Sequence, residues 1–223
     1  MKRCLQCDTR FEHDDWRCPA CGFAPPARDG FPAFAPTLAD ANAGYDSAYY
    51  AELYALEARN YWFRARNALI AWALRTYASA AKSFLEIGCG TGYVLAGIAH
   101  AVPRLALAAS EVSSRGLAYA ATRVPRAALM QMDARAIPYA EEFDAVGLFD
   151  VLEHIDEDEA VLAQAAHALT PHGVLFATVP QHPWLWSQYD QHAHHVRRYT
   201  ARELAAKVER AGLRDRKSTR LNS

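Results

Sequence analysis

The 223-residue chain has no apolar run approaching the ~18 to 20 residues that a membrane-spanning helix needs. Its opening, MKRCLQCDTR, lacks the apolar region of a signal peptide, so the expected location is the cytoplasm. An excess of one charge is also missing. With 24 Lys and Arg against 25 Asp and Glu the formal charge is −1, and no strong field advertises a polyanionic partner. Internal repeats are absent, and cysteine is almost absent beyond residue 21, where Cys89 stands alone. Apolar content, by contrast, is ordinary at 52% hydrophobic and 22% charged residues, enough for one full α/β domain with a small appendage.

The other four cysteines crowd the N-terminus as Cys4-Leu-Gln-Cys7 and Cys18-Pro-Ala-Cys21. In a reducing compartment a metal explains them better than disulfides. Two Cys-x-x-Cys knuckles let four thiolates converge tetrahedrally, a geometry that Zn2+ accepts, and Gly22 supplies a tight turn after the second knuckle. A thioredoxin-like redox pair is disfavoured because no strand-helix pattern surrounds either knuckle, and a rubredoxin-type iron site is the remaining alternative. Residues 1–23 are therefore read as a zinc ribbon too short to form a core alone, folded by its metal.

Residues 24–44 follow as a linker. APPARDGFPAFAP carries four prolines and a glycine, which argues for an extended, irregular segment. Next, apolar and aromatic residues recur at three- and four-residue spacings through Tyr50, Leu53, Leu56, Tyr61, Ala65, Leu69 and Trp72, the pattern of one or two amphipathic helices. From Ser83 short buried strands alternate with helices: SFLEIG, RLALAASE, AALMQMD, FDAVGLFD and GVLFATVP are the strands. Alternation of this kind predicts a parallel, doubly wound sheet whose ligands sit at the carboxyl ends of its strands.

FLEIGCGTGYVL, at the end of the first of these strands, superficially resembles a dinucleotide fingerprint. The NAD pattern Gly-x-Gly-x-x-Gly fails, because the glycines fall at Gly88, Gly90 and Gly92 and Tyr93 occupies the expected third place. Glu86 lies inside the apolar strand, where a carboxylate is costly without a partner. Glu111 ends the second strand, placed to accept from both hydroxyls of a ribose, and Asp133 ends the third, within reach of an adenine amine. Each acid alone is commonly a solvated strand end; the three in this order imply an adenosine.

FLEIGCGTG, SEVS, MDARAIPY, FDAVGLFDVLEHI and LTPHGVLFATVP, in that order, resemble the successive motifs of class I S-adenosylmethionine-dependent methyltransferases, over Tyr45 to Leu213. The resemblance implies a Rossmann-like sheet of order 3-2-1-4-5 and S-adenosyl-L-methionine as cofactor. It further implies that Glu86, Gly88, Cys89, Gly90 and Gly92 line the methionine moiety, with Asp150 nearby. Glu111 would hold the ribose, and Asp133 with the backbone of Ala134 would read the adenine. NYWFRARN and an HxRRYT-like element resemble a bacterial subgroup whose tryptophan-rich lead helix closes over the cofactor. By that analogy Trp62 covers the cofactor and Arg66 meets its carboxylate, the alternative for both being surface packing or pairing.

After the fifth strand, Trp184, Trp186 and Tyr189 offer apolar area, and His195, Arg197 and Arg198 offer cationic donors on the acceptor side. His154 and His195 are the candidate bases, imidazole titrating near neutrality, with loop anchoring the competing role for His154. The leading expectation is methyl transfer to a small-molecule, lipid-like or sugar-like acceptor. An RNA methyltransferase using the ribbon as an RNA-binding module is the alternative, weakened by the lack of basic charge and of an Asn-Pro-Pro-Tyr or Asp-Pro-Pro-Tyr signature. A non-catalytic zinc-ribbon adaptor is the third. Nothing in the sequence specifies an oligomeric state.

The ending RDRKSTRLNS has no alanine and no apolar alternation, and KSTRLNS resembles translated adapter sequence. Residues 214–223 are accordingly expected to be a non-native tail, with the terminal strand pair of the family missing and the fifth strand left as a bare edge.

Overall fold

The computed structural model describes residues 1–39 and 47–216. Two short strands, β1 (Lys2–Arg3) and β2 (Arg10–Phe11), pair around the first cysteine knuckle. A second small hairpin, β3 (Ala27–Arg28) with β4 (Phe31–Pro32), precedes the short helix α1 (Pro36–Ala39). Helices α2 (Ser47–Glu57) and α3 (Tyr61–Tyr77) lead into β5 (Ser83–Ile87), α4 (Tyr93–Ala101), β6 (Ala106–Glu111), α5 (Ser114–Arg123), β7 (Ala128–Gln131) and β8 (Phe143–Phe149). The chain then runs through α6 (Asp158–Ala168), β9 (Leu169–Thr178), α7 (Gln188–His192) and α8 (Ala201–Arg210).

Strands β5 to β9 form one parallel sheet in the order β7-β6-β5-β8-β9, which is the expected 3-2-1-4-5. Side chains alternate between its two faces, as a two-residue period requires. Phe84, Leu107, Ala109 and Ala145 meet Ile70 and Leu74 of α3, Leu95 and Ile98 of α4, and Leu117 of α5. Leu85, Ile87, Ala108, Val146 and Leu148 meet Val161, Leu162 and Ala165 of α6, with Leu204 and Val208 of α8 at the margin. Both faces are covered, so the strands read as near-continuous apolar runs.

The lead segment divides into two helices because Asn60, extended at φ −82° and ψ 130°, accepts the Trp62 N–H and caps the second. Strand β9 begins at Leu169, earlier than GVLFATVP suggests, and a register shift opposite Phe143–Ala145 accommodates the extra residues.

The segment after the ribbon departs from expectation. Instead of an irregular extended linker, Asp29 and Gly30, at φ +49° and +87°, turn a hairpin. Two adjacent positive φ values make the tight hairpin turn that Asp-Gly favours, a signal stronger than the surrounding prolines. Past it, Ala33 bridges Gln131 in parallel, the Phe34 N–H donates to the Gln131 carbonyl at 2.8 Å, and the Gln131 amide exchanges two bonds with the backbone of Ala35. The segment thus covers the β7 edge of the sheet.

The ribbon is docked as well. Lys2 bridges Tyr139, the Arg3 N–H donates to the Pro138 carbonyl, and Trp16 packs edge-on against both Phe34 (4.6 Å between ring centroids) and Tyr139 (5.3 Å). Among the described residues no strand lies outside β9. Residues 217–223 of the expected tail, and Tyr45 with residues 40–44 of the expected linker, lie outside the described residues.

Candidate active site

At the carboxyl end of β5 the chain must turn sharply into α4. Gly88 takes φ +70°, and a β-carbon there would stand 2.6 Å from Val151 Cγ2; Gly92 takes φ +76°, with Ala120 2.8 Å from the same position. Gly90, at φ +52°, differs: nothing lies within 4 Å of where its side chain would point, so this turn presents bare backbone to open space. Cys89 is buried between them, its N–H donating to the Ser110 carbonyl.

Glu86 lies one turn of strand below, only 2% exposed, and its Oε2 has no hydrogen-bond partner. The residues beside it in register are Ala109 and Gly147, small enough to leave room for a carboxylate. Burial pushes its pKa up to about 8, with Arg66 opposing and Glu111 and Glu57 adding to the rise. A buried acid without a partner is costly unless a cation completes it. Glu111, also buried, accepts the Gly90 and Val112 N–H groups, each at 2.8 Å, which ties the second strand to the glycine turn. Burial raises its pKa and these backbone donors oppose the rise.

Two further elements converge on the same corner. The β-carbon position of Gly116 lies 3.0 Å from Glu111 Cγ, the Gly90 carbonyl and Tyr50 Cε1 alike, so Tyr50 of α2 stands against the turn and its acid. At the other end of α2, buried Glu57 pairs with Arg123 at 2.5 Å and accepts from Thr91 Oγ1 at 2.6 Å, while Arg123 stacks on Tyr54 and Tyr93. Neither Tyr50 nor the Glu57–Thr91–Arg123 knot figured among the sequence candidates. A buried-pair reading of Glu57 with Arg123 has no local signal, since 66 residues separate them.

Arg66, which the lead-helix analogy assigns to the cofactor carboxylate, is already engaged within the chain. Its Nη2 donates to Asp150 Oδ2 at 2.6 Å and Thr178 Oγ1 at 3.0 Å, and its guanidinium lies 5.4 Å from the Trp62 ring, which is half exposed. Asp150 holds φ +57°, an uncommon conformation outside glycine, fixed by Thr178 Oγ1 and by its own N–H to the Thr178 carbonyl. Asp133 is likewise spoken for: it accepts from the Arg135 backbone and guanidinium, and Arg135 reaches on to Glu157. Ala134 is buried beside it.

In the segment after β9, the expected acceptor side, the charges close on one another. Asp190 is fully buried and accepts from His195 Nδ1 (2.9 Å), Arg198 Nε and Nη2 (2.7 and 2.8 Å) and the Ser187 N–H (2.9 Å). Burial alone would raise its pKa, but these donors hold it well below the usual carboxylate range. Arg197 pairs with Asp158 at 2.9 Å, and Asp158 also accepts from Lys207 and Tyr199. Arg197 and Arg198 therefore brace the segment. The ring of His154 lies 4.8 Å from that of His195, and burial with His195 alongside pushes its pKa down to about 4. Glu153, 1% exposed with Oε2 unpartnered, is pushed up to about 9 by burial and by Asp150. Trp184 and Tyr189 stand in solvent, and Trp186 is partly exposed. Asp190 was legible as the third residue after Ser187, a capping-box pattern that the structure forms.

Away from this site, the Sγ atoms of Cys4, Cys7, Cys18 and Cys21 all lie within 4.8 Å of one another, with Cys4–Cys21 and Cys7–Cys18 at 3.6 Å. That is far beyond a disulfide bond and close to the ~3.8 Å edge of a tetrahedron of sulfurs around Zn2+. Asp8 and Gly22, each following the second cysteine of its knuckle, adopt φ +61° and +76°, and their N–H groups return to Cys4 and Cys18.

The family model described as "Methyltransferase domain" matches residues 54–218, and the chain belongs to that family. A "Probable S-adenosylmethionine-dependent methyltransferase" of Mycobacterium tuberculosis is 29% identical over 163 residues, covering 72% of this chain and 58% of its own length. The chain thus spans a little over half the length of the curated relative it matches. Among solved structures, DesVI of Streptomyces venezuelae is 28% identical with a TM-score of 0.54, covering 64% of this chain and 61% of its own. CalS10 of Micromonospora echinaspora, solved with S-adenosylmethionine bound and described as an amino pentose methyltransferase, is 29% identical with a TM-score of 0.50, over 60% of this chain and 56% of its own.

Proposed function

We propose that the protein transfers a methyl group from S-adenosyl-L-methionine to a small-molecule acceptor of sugar-like or lipid-like character. The observation that carries this reading is Glu86: a buried carboxylate with an unpartnered oxygen, under a glycine turn whose central residue faces open space. An amino-acid ammonium supplies the cation that Glu86 lacks. The Gly88–Gly92 turn and Cys89 line the methionine moiety, Glu111 takes the ribose hydroxyls, and Tyr50 closes over them from α2. Asp133 keeps acceptor capacity for an adenine amine beyond what Arg135 uses, because a carboxylate offers about four lone-pair sites. Arg66, with only Nη2 given to Asp150 and Thr178, turns its remaining donors toward the cofactor carboxylate, and Trp62 shields that end.

When bound, the cofactor supplies an electrophilic methyl on sulfonium. The chain's own contribution is alignment and exclusion of water, effects that need little acid-base chemistry. The exposed Trp184, Trp186 and Tyr189 receive the acceptor, and the His154–His195 pair faces its reacting atom. The amino pentose named for CalS10 favours a sugar-like acceptor here. The four-cysteine cluster holds Zn2+, which supplies the folding energy a 23-residue ribbon lacks.

The test is transfer of labelled methyl from the cofactor to extract fractionated into small molecules, RNA and protein. Label in the small-molecule fraction supports the reading; label confined to RNA or protein, or none in any fraction, overturns it.

A further inference from the structure

Beside the cofactor turn, the start of the acceptor side holds a group of residues that methyl transfer by alignment alone does not require. One ligand atom each from Glu153, His154 and His195 lies within 4.8 Å of the others. Glu153 is 1% exposed, and its Oε2 has no hydrogen-bond partner in the described structure. Both histidines are oriented from behind. His195 donates Nδ1–H to Asp190 Oδ1 at 2.9 Å, and His154 bonds to the backbone of His194. With Nδ1 given to Asp190, His195 has Nε2 on the opposite side of its ring. Asp190 is in turn fixed by Arg198 and by the Ser187 N–H, so the outer partner of His195 is itself immobile.

We propose that Glu153, His154 and His195 bind a divalent first-row transition ion. Two imidazoles and a carboxylate are the donor set such ions take, and three protein ligands leave open positions, as in catalytic rather than structural sites. Ligating histidines characteristically give their other nitrogen to a carboxylate or a backbone carbonyl, and both arrangements occur here. The ion supplies Glu153 Oε2 with the partner it lacks. Its open positions take an oxygen of the acceptor, orienting a hydroxyl for in-line attack. This use of the ion rests on the methyl-transfer reading; its binding does not.

The experiment uses the full chain with its cysteine cluster saturated with Zn2+, titrated with Co2+ as probe. One further Co2+ per chain is expected, with weak absorption of nitrogen and oxygen ligation and no intense thiolate band. Glu153→Gln and His195→Gln should each weaken that binding at least tenfold, and Asp190→Asn by about tenfold through the outer partner. Should a variant fail to fold, the wild-type protein still decides: bound Co2+ must produce paramagnetically shifted imidazole N–H resonances from two histidines. No second ion at millimolar Co2+, an unshifted histidine spectrum, or unchanged affinity in a folded Glu153→Gln protein overturns the proposal. Co2+ binding without methyl transfer to any acceptor would leave the ion site standing and count against the proposed function.

Discussion

The two halves of the candidate site handle charge in opposite ways. On the cofactor half, Glu86 is buried with an oxygen unsatisfied, and Gly90 offers bare backbone to open space. On the acceptor half, Asp190 and Asp158 are saturated by Arg198, His195, Arg197, Lys207 and Tyr199, and little of that charge is left to address a ligand. Under the proposed function the cofactor half is a receptive surface whose cost is offset on binding, whereas the proposed acceptor half is a braced frame that offers exposed aromatics as its contact surface. Glu153 is the exception, an unsatisfied carboxylate oxygen inside the braced half.

Breaking the frame should give the largest effect. Asp190→Ala leaves Arg198, largely buried, without its counterion, and removing one partner of a buried pair typically costs about 3–5 kcal/mol. Chemical denaturation should show a loss of that size, while any protein still folded binds S-adenosylhomocysteine with unchanged affinity. A parallel loss of cofactor affinity would mean that the two halves are not separate.

The next effect belongs to Glu86. Its pKa is raised from 4.5 to about 8, so the folded state holds a proton that the unfolded state has lost between those values. The associated stability is fully present below pH 4.5 and is lost as pH rises through 8, a decline of about 2–4 kcal/mol for the ligand-free protein. Glu86→Gln should flatten that slope in thermal melts across pH 5 to 9. Cofactor affinity in the wild type should rise over the same window, because the ionised carboxylate is the form that meets an ammonium. Identical slopes in wild type and Glu86→Gln would place the unsatisfied charge elsewhere.

Glu111→Ala should weaken S-adenosylhomocysteine binding ten- to a hundredfold by calorimetry, about 1.5–3 kcal/mol for a charged acceptor facing two hydroxyls. Because Glu111 also accepts the Gly90 and Val112 N–H groups, some of that loss will come from a slackened glycine turn. Glu111→Gln keeps an acceptor for one of them and should recover part of the affinity. Equal affinity in all three proteins would remove Glu111 from the ribose position.

Legibility followed the same division. The sheet order, the glycine turn and Glu86 were readable because each depends on local pattern: alternation, φ-permissive residues, an acid in an apolar strand. What escaped depends on contacts between distant segments. Glu57 meets Arg123 across 66 residues, Asp158 meets Lys207 across 49, and no periodicity announces either. Arg197 and Arg198 were read only as donors toward an acceptor, and their pairing with Asp158 and Asp190 was not legible, because a sequence shows a charge but not its partner. The hairpin at Asp29-Gly30 was readable and was outweighed by its neighbouring prolines; its docking against Gln131 of β7 was not.

The smallest effect sharpens the comparison most. Trp184 is 78% exposed, and no hydrogen bond in the described structure depends on its side chain, so Trp184→Ala should change stability by no more than about 0.5 kcal/mol. Among the described residues its one aromatic ring neighbour is His182, at 5.7 Å between rings, itself at φ +65° in the turn that leads to the proposed acceptor segment. If recognition on this half is carried by exposed aromatic area over a saturated frame, the same substitution should raise the acceptor KM severalfold, with kcat and cofactor affinity held. The bracing Arg197→Ala, by contrast, should lower thermal stability and move kinetic constants only as far as folding is lost. Steady-state kinetics on these two variants at matched folded fraction separates surface from frame, and a KM that responds to Arg197 but not to Trp184 would reverse their assigned roles.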